Sequence, residues 1–135
     1  MRIYLDTNVF VSLFKEEIDS NLRPLYLEAQ EFFNYIKQKD ILLVLSDLFF
    51  LEAHKCCSID KNRIIDYFSK LEIPILIIEK ENLAYPAKEI HYPDSVHAAT
   101  AIKYNCDTII TFNTKDFEPI KNRIKILEPG EFQIS

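Results

Sequence analysis

Residues 41–47 read ILLVLSD: five aliphatic side chains in a row, closed by a serine and an aspartate. A strand with one wet face alternates apolar and polar residues. An unbroken apolar run of this length predicts a strand over Ile41–Leu45 buried on both faces, as in a parallel sheet. Upstream, Pro24–Lys39 carries Leu25, Leu27, Phe32, Phe33 and Ile36 at mostly helical spacing. Downstream, Asp47 is placed to cap a helix over Leu48–Cys57, and Asp60 another over Lys61–Leu71.

The alternation continues in both directions. Arg2–Leu5 reads as a short first strand, followed by a helix over Val9–Lys15. Pro74–Ile78 is the third strand, and Glu81–Ile90 a helix that Pro86 bends or splits. Asp94–Asn105 is an alanine-rich helix, Thr108–Ile110 the fourth strand, and Ile124–Leu127 a fifth at an edge. No repeat or linker interrupts the pattern, so residues 1–135 read as one domain. Alternating strands and helices imply an α/β fold, a parallel sheet with helices on both faces. Its ligand crevice lies beyond the carboxyl ends of the strands.

Composition narrows the function. With 48% hydrophobic residues over 135 positions the chain reads as ordinary globular protein, burying roughly two-thirds of its unfolded surface. No apolar stretch approaches the ~20 residues of a membrane span, and the N-terminus has no leader-like pattern, so no membrane role and a cytoplasmic location are expected. The only glycine, Gly130, excludes the glycine-rich phosphate cradles of P-loop and dinucleotide-binding proteins. Cys56, Cys57 and Cys106 lack the spacing of a structural zinc site and read as small buried hydrophobes. The net charge of −5 argues mildly against a nucleic-acid partner, but clustered carboxylates that share a cation would neutralise much of it.

Four acidic positions stand just past a predicted strand or on the helix that follows: Asp6 in LDTN, Glu52 in LEAHK, Asp94 in PDSVHAA and Asp116 in NTKDF. Carboxylates aimed at one crevice repel each other, and burying them is costly unless a cation is shared. Hard oxygen donors select Mg²⁺ or Mn²⁺, and such a site suits hydrolysis of a phosphodiester. Each acid also has a plainer reading. Asp6 and Asp94 sit where helix caps belong, Glu52 could pair with Lys55, and Asn113 with Asp116 could form a polar turn. Glu52 fits that alternative least well, because it shares a helix face with Leu48 and Phe49.

Thr7, Asn8, Thr111 and Asn113 are hydrogen-bonding groups beside these carboxylates. Spacing leaves open whether Asn113 or Asp116 faces the metal. Ala98, Ala99 and Ala101 let their helix approach the sheet and carry Asp94 towards Asp6, while His97, one turn on from Asp94, reads as packed, with reach to substrate or an acidic neighbour as the alternative.

LDTN, a Glu on the helix after strand two, DSVHAA and TFNTKDF together resemble the PIN-domain family, and especially its VapC-like ribonucleases. That resemblance implies a Rossmannoid three-layer α/β/α sandwich with a mostly parallel sheet in order 3-2-1-4-5. It implies Mg²⁺- or Mn²⁺-dependent cleavage of RNA, with Asp6, Glu52, Asp94 and Asp116 as the catalytic acidic residues and the first three at the metal, Glu52 either ligating it or accepting the proton from attacking water. The family's fourth polar or acidic position falls in the TFNTKDF segment; if it maps to Asn113, the neutral amide there departs from strict two-ion chemistry. The family also implies a homodimer and an antitoxin protein as partner. Two alternatives stand beside this reading. One is a non-catalytic PIN-like module that binds RNA or protein. The other is a phosphotransfer enzyme with Asp6 as covalent nucleophile, although haloacid-dehalogenase-like enzymes carry a second Asp where this chain has Asn8.

Overall fold

The computed structural model describes residues 1–132. Five parallel strands form one sheet: β1 (Arg2–Leu5), β2 (Leu42–Ser46), β3 (Ile75–Ile78), β4 (Thr108–Ile110) and β5 (Lys125–Leu127). Their order is β3-β2-β1-β4-β5, which is the PIN-like order the resemblance implies. The reversal of winding beside β1 opens a crevice at the carboxyl ends of β1 and β4. Register puts Tyr4 between Val44 and Ile109.

Period-two alternation sorts the strand residues into two cores. Ile3, Leu5, Leu43, Leu45 and Ile110 face one layer, where α1 (Thr7–Phe14), α2 (Leu25–Ile36), α3 (Asp47–Cys57) and α4 (Lys61–Lys70) bring Phe10, Phe33, Phe49 and Phe68. Tyr4, Val44 and Ile109 face the other, where α5 (Asp94–Lys103) packs through Ala98 and Ala101. Both alanines are fully buried, so α5 does lie close against the sheet, while Ala99 is only half-buried.

Two local expectations fail. Ser46, not Asp47, is the N-cap of α3: its backbone is extended and its Oγ accepts from Phe49 N at 3.3 Å. Asp47 instead starts the helix, accepting Lys80 N at 2.8 Å and pairing with Lys61 at 3.1 Å. The helix expected over Glu81–Ile90 is absent. A single 3₁₀ turn covers Lys80–Asn82, and an irregular segment follows. Pro86 has no N–H to donate and biases Tyr85 away from helical backbone, so the segment finds its bonds on α5. Ala84 N donates to Thr100 Oγ1, and Ala87 N to Ser95 O.

Candidate active site

β1 ends at Leu5, so Asp6 emerges at the carboxyl edge of the central strand. It holds the N-cap position of α1 in extended backbone, yet its side chain makes no capping bond. The residue is 5% exposed, and Oδ2 accepts from Thr111 Oγ1 at 2.8 Å and Asn8 Nδ2 at 3.3 Å. Asn8 also donates to Thr111 Oγ1 at 3.2 Å and accepts from Phe112 N at 3.1 Å, which locks the β4 end to α1. Burial pushes the Asp6 pKa up and the Glu52 charge adds to this; the His97 charge and the Thr111 hydroxyl oppose it without cancelling it.

Glu52 reaches the same place from α3. Its Oε1 accepts from Thr7 Oγ1 at 2.6 Å and lies 2.7 Å from His97 Nε2. An ionised carboxylate only accepts, so Nε2 carries the proton. Burial would raise the Glu52 pKa, but the His97 hydrogen bond and charge and the Thr7 hydroxyl together bring it below the usual value. Lys55 contributes charge at a distance rather than the main contact.

Of the two readings of His97, packed or in reach of an acidic neighbour, the second holds as well as the first. The ring is fully buried and bonded on both sides, with Nδ1 2.5 Å from the Tyr4 hydroxyl, which donates to Ser46 Oγ at 2.9 Å. Nδ1 shares its hydrogen bond with the phenol oxygen, and Tyr4 and Glu52 hold the ring on both sides whether it is neutral or charged. Burial works against a charged ring, but the hydrogen bond to Glu52 and the charges of Asp6, Glu52 and Asp94 raise the His97 pKa overall. The available signal was a polar ring on the inward face of α5, which requires partners once buried. Tyr4 and Ser46 gave no comparable signal.

Asp94 opens α5 without capping it. It lines an open cavity of about 250 Å³ together with Asp6, Asn8, Glu52 and Asn113. Its pKa is pushed up to about 6, by burial and then by the charge of Asp6, with Asp116 and Glu52 adding and His97 opposing. Asn113 and Asp116 lie on different sides of it. Asn113 lines the cavity with Asp6, whereas Asp116 lines a neighbouring one of about 300 Å³ with Asp94, His91 and Lys115. Both are exposed, Asn113 as the N-cap and Asp116 in the first turn of a 3₁₀ helix over Thr114–Ile120.

Cys56 also lines the first cavity, one helical turn beyond Glu52. Only Cys106 is a buried cysteine; Cys56 is exposed and Cys57 half-buried, because the last turn of α3 projects past the core.

One carboxylate oxygen each from Asp6 and Glu52 and a ring nitrogen of His97 lie within 4.8 Å of one another, a group that could hold a metal ion. Carboxylates from three separate elements, Asp6, Glu52 and Asp94, line this one cavity.

The sequence matches the PIN domain profile over residues 3–122. The chain belongs to the PIN domain family. PIN domains form a nuclease superfamily, and the crevice at the edge of β1 and β4 is where this PIN domain gathers its carboxylates. Among curated proteins, none matches the sequence. No helix among the described residues is long and apolar enough to cross a membrane.

Proposed function

We propose that this PIN domain is a divalent-metal-dependent endoribonuclease of the VapC-like toxin type, with Asp6, Glu52 and Asp94 as ligands of Mg²⁺ or Mn²⁺. The observation that carries the reading is that these three acids, from β1, α3 and α5, line one open cavity while buried donors hold two of them. The donor set fits such an ion. With both His97 nitrogens engaged by Tyr4 and Glu52, the oxygen groups that face the cavity are carboxylates and the Asn113 amide, which are hard ligands, beside the softer Cys56 thiol.

A divalent ion held there supplies Lewis-acid polarisation of water and phosphate. The protein's share is positioning. Thr111 and Asn8 hold Asp6, and Thr7 with His97 holds Glu52 anionic, suited to ligation. Asp94, half-exposed, completes the ligand set on the side open to substrate, and Asn113 or Asp116 supplies outer contacts. Lys115, in the adjoining cavity, and Lys55, beside Glu52, offer cations to the RNA backbone.

Incubation of the purified protein with single-stranded and structured RNAs tests this. Cleavage is expected with Mg²⁺ or Mn²⁺, none with chelator, and none from Asp6→Asn or Asp94→Asn. An inert wild-type protein that still binds RNA would favour the non-catalytic module, and a phosphorylated Asp6 the phosphotransfer enzyme. The toxin role predicts growth arrest on expression, relieved by the product of a short neighbouring reading frame. A homodimer would be read from light scattering.

A further inference from the structure

We propose that Tyr4 is a positioning residue for this site, its buried hydroxyl joining the three elements that carry Asp6, Glu52 and Asp94; the inference rests on the nuclease reading above. Tyr4 lies in β1, two residues before Asp6. Its hydroxyl donates to Ser46 Oγ at 2.9 Å, and Ser46 is the N-cap of α3, the helix that carries Glu52. The same hydroxyl lies 2.5 Å from His97 Nδ1 on α5, the helix that opens with Asp94. His97 Nε2 then bonds Glu52 Oε1 at 2.7 Å, so strand and both helices are linked in a closed circuit.

Packing alone does not call for a tyrosine here. Its register partners, Val44 and Ile109, are aliphatic, and Tyr4, Ser46 and His97 are all fully buried. A buried hydroxyl is costly unless bonded, and phenylalanine would fill the same space without that cost. The hydroxyl is therefore accounted for by what it holds. Metal ligands need placement to within ~0.5 Å, and that precision comes from the groups behind them.

Tyr4→Phe tests the circuit. Calorimetry would follow Mn²⁺ binding to the metal-stripped protein, and steady-state kinetics would follow RNA cleavage. The expected result is a Kd for Mn²⁺ weaker by about tenfold and kcat lower by a similar factor, with KM for RNA changed less than about twofold. Circular dichroism should stay that of the wild type. A lower Tm with unchanged Kd and kcat would mean that Tyr4 is merely a core residue, and would overturn the proposal. Should Tyr4→Phe not fold, His97→Gln cuts the circuit at its next link and is read in the same way. A wild-type protein that binds Mn²⁺ but cleaves no RNA refutes the nuclease reading and leaves the Kd comparison to decide this one. A wild-type protein that binds no Mn²⁺ refutes both.

Discussion

Thr111, the residue after β4, donates its hydroxyl to Asp6 Oδ2 at 2.8 Å, so one strand's end holds the carboxylate of its neighbour. Thr111 Oγ1 itself accepts from Asn8 Nδ2 and from Asn113 N, which makes Thr111 the tie between the start of α1 and the turn after β4. Thr111→Val keeps the shape and removes all three bonds. Its expected cost is about 1–3 kcal/mol, read by urea unfolding at pH 7 in chelator. The loss should shrink at lower pH, where Asp6 is protonated. Unchanged stability at pH 7 would show that the bond is not needed to hold Asp6.

Asp94 gives a pH signature with a definite sign. Its folded pKa of about 6 exceeds the ordinary value of 3.8, so the folded, metal-free state binds the proton more tightly than the unfolded chain does. That contribution to stability is complete below pH 3.8 and is lost as pH rises through 6. Asp94→Asn should therefore melt higher than wild type at pH 7 in chelator and about level with it near pH 3.5. A melting temperature lower by a similar amount at both values would point to lost structure instead.

Metal binding should release protons. Asp94 must ionise to ligate, so affinity for Mn²⁺ is expected to weaken as pH falls below about 6. Calorimetry at pH 6 in two buffers of different ionisation enthalpy measures the protons released. Asp116→Asn should lower the onset of this effect, because the Asp116 charge helps to raise Asp94. Identical heats in both buffers would argue that Asp94 stays off the ion.

Small residues on α5 set how near Asp94 comes. Ala101 is fully buried between helix and sheet, so Ala101→Leu overpacks that interface at an expected cost of about 1–3 kcal/mol. Thermal melts give the stability change. Mn²⁺ affinity should fall as well, because Asp94 is carried by the displaced helix. Retained affinity in a destabilised variant would show that α5 can shift without moving its first turn.

Much of this architecture was written in local pattern. The run over Ile41–Leu45 marked a strand buried on both sides, and the alternation around it led to the sheet, because periodicity and burial are short-range properties. Asp6, Glu52 and Asp94 were legible because they break that pattern at strand ends or on an inward helix face. The segment after Lys80 was misread because hydrophobic spacing suggested helix while Pro86 forbade it. Ser46 and Asp47 are both good caps, and only the backbone decided between them. The Tyr4–Ser46–His97 bonds were hidden for a different reason: they join residues 42 and 93 positions apart, and no window along the chain contains them.

The placement of β1 between β2 and β4 has a consequence for biosynthesis. The Asp6 carboxylate leaves the ribosome 105 residues before the hydroxyl that holds it. Until then the central strand lacks one neighbour, and the nascent polypeptide has no finished crevice. Fragments that stop short of the fourth strand should thus lack a formed site, because that strand's end supplies the hydroxyl that holds Asp6.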